Sequence, residues 1–250
     1  MIKIIFLLFF ISSCNSINSK LSVKKSSLYE KIGVAFLQQN NYPSALSRLL
    51  KAEKFDNKNA RVQNYLGLAY FALKKYKTSI THFKKSITLS PEQTEYKNNL
   101  AYSFIKSKQY KNAFVLLKQN LKDLTYPFQY KTYFYLSIIK TKVNNLKSAK
   151  KLITKSLKLN ASFCPSNIQF AKILHKSKKY YESGQHFKKT FSVCPGHKNT
   201  KNLFMQASNH YKLKEYVKAF AIFKKLSKTN TSFTNKIKKF LNPTNKKNTN

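Results

Sequence analysis

The chain has 250 residues, with 42% hydrophobic content and a formal net charge of +40. That hydrophobic content belongs to a folded protein, and the length suits one large domain or a repeat array. Only four Gly and six Pro, with no alternating Val/Ile/Thr runs, exclude an all-β fold.

The charge has two readings. One is an acidic partner: nucleic acid, anionic lipid or an acidic protein surface. The other is codon bias, because Arg occurs only at Arg48 and Arg61 and Asn is abundant, as in an AT-rich genome. Nucleic-acid readers use Arg for bidentate contacts, so its near absence favours codon bias and predicts no nucleic-acid partner.

In chain order, Met1-Ile2-Lys3 is a short positive region and Ile4 to Ile11 is an unbroken apolar run. The run is too short to span a bilayer, which needs about 20 residues, and reads as a signal peptide over 1–13. It ends Ile11-Ser12-Ser13-Cys14, which resembles the lipobox of bacterial lipoproteins. The resemblance implies diacylglycerol on the Cys14 thiol and cleavage before it. Asn15 follows where an Asp would imply inner-membrane retention, so the resemblance implies the periplasmic face of the outer membrane. Residues 14–26 are polar and aperiodic and predict a flexible tether, with a reach of about 20 Å.

Residues 60–104 hold the clearest signal: two apolar, 3.6-periodic segments, a short Lys/Tyr turn, then Ser90-Pro91-Glu92-Gln93 and a restart. Gly67 and Ala101 are one period of about 34 residues apart, the tetratricopeptide spacing. Six repeats follow this frame, at about 26–59, 60–93, 94–127, 130–163, 164–197 and 200–233. Each places a small residue on helix A (Gly33, Gly67, Ala101, Ser137, Ala171, Ala207). Each also places a small residue and a large one on helix B: Ala45 and Leu49, Ser79 and Phe83, Ala113 and Leu117, Ala149 and Ile153, Ser183 and Phe187, Ala219 and Phe223. Ser90 is expected to cap the third repeat's first helix, with Pro91 in its first turn and Gln93 completing a capping box. Tyr126-Pro127 delays repeat four, because Pro stops a helix and disfavours helix at the residue before it. The reading is all-α: a right-handed tetratricopeptide superhelix of about six hairpins over 27–228. Residues 229–250 follow as a short helix, Phe233 to Leu241, and a polar tail.

Cys164 and Cys194 stand at opposite ends of one helical hairpin, which makes them neighbours, and a signal peptide places them in an oxidising compartment. A disulfide is expected; two buried thiols are the alternative. No catalytic constellation, metal spacing or cofactor motif is found: the eight carboxylates are scattered, and His82, His175, His186, His197 and His210 show no ligand spacing. Binding is expected on the helix A faces, at Arg61, Asn64, Leu68 and Phe71, then Asn98, Asn99, Tyr102 and Ile105, then Phe134 and Ile138. Asn amides suit an extended peptide backbone, and aromatic rings supply apolar anchors.

A lipobox, about six tetratricopeptides, Asn98-Asn99-Leu100-Ala101 and the Tyr126-Pro127 insertion together resemble the PilF/PilW family of type IV pilus biogenesis lipoproteins. The resemblance implies a non-enzymatic pilotin at the outer membrane, holding a secretin segment in the groove. The alternative is a general periplasmic adaptor for cell-wall enzymes or outer-membrane protein assembly, with another envelope protein as partner.

Overall fold

The computed structural model describes the backbone of residues 2–229 and of Ile237, and the side chains of 20–227 other than His197, with Ile237. The Cys14 side chain and the tail beyond Ile237 lie outside the described residues.

Among the described residues, twelve α-helices form six hairpins. They are α1 (Ile2–Gln38) with α2 (Tyr42–Phe55), α3 (Ala60–Ala72) with α4 (Tyr76–Leu89), and α5 (Thr94–Lys106) with α6 (Tyr110–Asn120). Then come α7 (Gln129–Lys142) with α8 (Leu146–Leu159), α9 (Cys164–Lys176) with α10 (Tyr180–Val193), and α11 (Thr200–Lys212) with α12 (Tyr216–Thr229). The first three hairpins belong to one compact unit, residues 1–127, and the last three to another, 128–250.

Asn side chains start several helices by accepting orphan backbone N–H groups. Asn59 accepts from Arg61 N at 3.0 Å and Val62 N at 3.2 Å, and Asn145 accepts from Ser148 N at 3.1 Å. The expected Ser90 cap does not form. Ser90 ends α4 instead, its N–H bonded to Ser86 O, and its hydroxyl donates to Glu92. The residue before a proline is pushed to extended backbone, so Pro91 falls in the turn and α5 begins at Thr94.

Every A-to-B turn is built the same way. Asn40, Lys74, Lys108, Asn144, Lys178 and Lys214 each adopt φ between 58° and 64°. The next residue's N–H reaches back five residues to a helix A carbonyl, at 2.8 to 3.0 Å in all six turns. This is the closure that glycine usually serves, made here without one glycine.

Small helix A residues lie against large helix B residues, Gly33 against Leu49 and Gly67 against Phe83, and Ala171 and Ala207 share core clusters with Phe187 and Phe223. Leu49, Phe83, Leu117, Ile153, Phe187 and Phe223 are all fully buried. At Gly33 and Gly67 the approach leaves no room for a methyl group: a Cβ would lie 2.7 Å from Leu49 and 2.6 Å from the Phe83 ring. Small helix B residues permit polar ties. Ser79 Oγ donates to Gly67 O at 2.9 Å, and Ser183 Oγ donates to Ala171 O at 2.8 Å.

Residues 20–26, expected as part of a flexible tether, are helical and packed. Ser22 Oγ donates to Phe55 O at 2.6 Å and buried Ser26 Oγ to Ala52 O at 2.9 Å. Ser22 and Ser26 are one turn apart, so hydroxyls rather than apolar groups face α2, and no apolar period is visible there. The Tyr126-Pro127 insertion is likewise anchored: Tyr126 is buried and its hydroxyl donates to Glu95 at 2.6 Å. Cys164 and Cys194 form a disulfide across the ends of α9 and α10, with Cα atoms 5.9 Å apart. Ile237 is helical and buried against Ala207, Ala219, Phe223 and Leu226 of the last hairpin.

Candidate binding face

In the first unit, a row of side chains runs across α1, α3 and α5. It begins at Glu30 on α1, 2% exposed. Arg61 on α3 donates to Glu30 Oε1 through Nε at 2.8 Å and a terminal nitrogen at 2.5 Å, and Asn59 Nδ2 donates to Oε2 at 3.2 Å. The hydrogen bonds to Glu30, and then its charge, raise the Arg61 pKa further, so the guanidinium is a permanent cation. Its side chain remains 63% exposed, which leaves it oriented from below and open above. Tyr96 stands close by, its phenol pKa raised by burial and then by neighbouring Tyr65.

Next along the row, Asn99 Nδ2 donates to Asn64 Oδ1 at 3.0 Å, tying α5 to α3. Then Phe71 and Tyr102 lie with ring centroids 4.9 Å apart, and Phe71 also meets Tyr76 at 5.5 Å. Lys106 Nζ sits 5.1 Å over the Tyr102 ring. Leu68 is half-buried between the polar and aromatic parts. A cation, the half-buried Asn99 amide and an aromatic pair in sequence can take a carboxylate, a backbone amide and an apolar side chain of one extended ligand.

Three of the expected residues are inside: Asn64, at 5% exposure and held by Asn99, and then Asn98 and Ile105. Asn98 is 1% exposed and accepts from Asn120 Nδ2 at 3.3 Å, joining α5 to the end of α6. Ile105 is core at 6% exposure. Adjacent helix positions differ by about 100°, so Asn99 and Asn98 cannot share a face. Glu30, Tyr65 and Tyr96 belong to the face and were missed. Glu30 was legible: it is one of only eight acids and occupies the inward fifth position of the first repeat.

In the second unit, Phe134 on α7 is half-buried. Its ring centroid lies 5.5 Å from Phe163, and it packs against Ala149, Ile153 and Ile173. It packs there and remains partly exposed, as Phe71 does in the first unit. Ile138 is half-buried on the same helix. Beyond them the interior row is polar: Gln169 Nε2 donates to Thr141 Oγ1 at 2.9 Å, and His175 Nδ1 lies 2.5 Å from Asn209 Oδ1. Asn209 Nδ2 in turn donates to Ser183 Oγ at 2.9 Å.

Among the described residues, no group of three or more His, Cys, Asp or Glu side chains could hold a metal ion. Among them too, no helix is long and apolar enough to cross a membrane.

These hairpins, with small-against-large packing recurring along the array, define a tetratricopeptide-repeat fold, all-α and of about six repeats. Family models of tetratricopeptide repeats match residues 33–74 and 60–93. A search of curated protein sequences gives no match. Three solved structures have this fold along most of the chain. Pseudomonas aeruginosa PilF is 19% identical, with a TM-score of 0.71 over 88% of this chain and 98% of its own. PilW, described as a widely conserved type IV pilus biogenesis factor, is 18% identical, with a TM-score of 0.74 over 87% of this chain and 98% of its own. The Cut9–Hcn1 assembly of the APC/C is 11% identical, with a TM-score of 0.78 over 91% of this chain and 46% of its own. At such identities the likeness establishes the fold.

Proposed function

We propose that this protein is a lipid-anchored, non-enzymatic scaffold on the periplasmic face of the outer membrane, a pilotin that binds a secretin subunit of a type IV pilus. The observation that carries the reading is the likeness in fold to PilF and PilW over 98% of the length of each. The lipobox ending at Cys14 supplies the anchor, and the row from Arg61 to Tyr102 supplies a face for an extended segment of the partner.

Deleting the gene tests this. Loss of heat-resistant secretin multimers and surface pili is expected; wild-type levels of both would overturn the secretin role. Palmitate labelling tests the anchor separately, with loss of label expected in Cys14→Ala. A pull-down rich in peptidoglycan enzymes and free of secretin would instead identify a general envelope adaptor.

A further inference from the structure

Acidic residues are distributed very unevenly. Eight Asp and Glu stand against 48 Lys and Arg, and only Glu182 and Glu215 lie beyond Asp123. Codon bias toward A and T explains abundant Lys. It does not explain missing Glu and Asp, whose codons are open to the same bias. The depletion is sharpest in the hairpin of α7 and α8: residues 128–163 carry eight Lys and no acid. In the second unit Glu182 pairs with Lys179, and Glu215 pairs with Lys218 and His210.

Helix α8 concentrates the effect. Lys147, Lys150, Lys151, Lys155 and Lys158 are all exposed, and at helical spacing they share one side. Ala149, Ile153 and Ser156 are buried on the opposite side. Lys155 lies over the Tyr133 ring, 5.4 Å from its centroid. Among the described residues no carboxylate meets the other four. Like charges one turn apart repel and weaken a helix, so the row raises the energy of the free protein.

We propose that the outer face of α8 docks on an anionic, phosphate-bearing membrane surface. Lys is a hydrated point charge on a flexible stem, which suits many smeared phosphates rather than a fixed pattern of carboxylates. Helix α8 carries no aromatic residue to stack a base and no Arg to read one, and Lys155 lies over the neighbouring Tyr133 ring, so the helix lacks the equipment of a nucleic-acid site. Exposed Val143 and Leu159, 55% and 57% accessible at either end of α8, add apolar groups beside the lysines, the composition of an interfacial helix. The proposal goes beyond the secretin reading and rests on neither it nor the lipid anchor.

The test uses the full chain carrying Cys14→Ala, so that no acyl chain contributes. Flotation is measured with phosphatidylcholine vesicles containing phosphatidylglycerol, and with pure phosphatidylcholine, at about 0.1 M salt. The N-terminal apolar run acts equally in every variant. Each surface lysine is worth roughly fivefold in affinity. Lys147→Gln, Lys150→Gln, Lys151→Gln and Lys158→Gln together are therefore expected to weaken binding to the anionic vesicles at least tenfold and leave pure phosphatidylcholine unchanged. A control with Lys77→Gln, Lys84→Gln, Lys111→Gln and Lys118→Gln in the first unit is expected to lose about twofold or less. Circular dichroism confirms that both variants are folded. Equal losses from the two variants, or undiminished binding by the α8 variant, overturn the proposal. So does a result in which the α8 variant loses an acidic polypeptide or an oligonucleotide while keeping the vesicles.

Discussion

Gly67 and Phe83 are in such close contact that a Cβ on Gly67 would stand 2.6 Å from the aromatic ring. Phe83 is fully buried and cannot swing aside without opening the hairpin. Gly67→Ala is therefore expected to destabilise the protein by about 1–3 kcal/mol, despite the better helix propensity of Ala. Gly184, within α10, has nothing within 4 Å of its Cβ position. Gly184→Ala is expected to stabilise by up to about 1 kcal/mol. Urea unfolding of the two variants checks both signs.

The turns offer a second set of substitutions. Lys74, Lys108, Lys178 and Lys214 hold left-handed backbone that costs a side-chain-bearing residue about 1 kcal/mol or more. Replacing any of them with Gly relieves that cost, offset by the greater freedom of Gly in the unfolded chain. Each Lys→Gly change is expected to raise stability by about 0.5 kcal/mol. Lys75→Gly, one residue later, is expected to lower it. A thermal shift series across these positions distinguishes turn geometry from simple loss of charge.

The disulfide closes a loop of 30 residues between Cys164 and Cys194. In the chain-entropy model such a loop contributes about 3.6 kcal/mol. Cys164→Ser with Cys194→Ser should lower the unfolding midpoint to that of the reduced protein, and reductant should then have no further effect. A thiol titration of the unfolded, unreduced chain should find neither residue free.

Two histidines set a pH dependence. Burial holds both His82 and His186 below the ordinary imidazole pKa of about 6.5, with Lys85 and Lys189 adding to it and Glu53 opposing it at His82. The unfolded chain therefore takes up these protons first. Their contribution is fully present above about pH 6.5 and is lost as pH falls below that value. Urea midpoints are expected to fall between about pH 7.5 and about pH 5.5. His82→Gln with His186→Phe should flatten that slope; an unchanged slope would show that other groups control it.

On the binding face, Arg61→Ala and Tyr102→Ala are expected to weaken capture of a partner by about tenfold each, the ordinary scale of an interface anchor. Asn98→Ala should instead act on stability, by about 1–2 kcal/mol, because its amide is buried and bonded to Asn120. Pull-down and unfolding experiments on the same three variants separate the two roles.

The amino-acid sequence by itself determined the array. The small and large positions recur within each hairpin, where helix geometry alone brings them together, so Gly67, Ser79 and Phe83 were legible from one repeat. The Cys164 and Cys194 neighbourhood follows from the same local antiparallel geometry. What lies between hairpins was decided only by the tertiary structure. A helix position read from periodicity is certain to about one residue, or about 100° of turn; Asn98 turns inward to Asn120 of its own hairpin, and Asn99 reaches Asn64 of the preceding one. The Glu30–Arg61 pair and the packing of Phe134 on Ile173 arise from repeats meeting in space. The left-handed lysines carry no local signal, because the closing hydrogen bonds of the hairpin, and not the residue's own preference, hold them there.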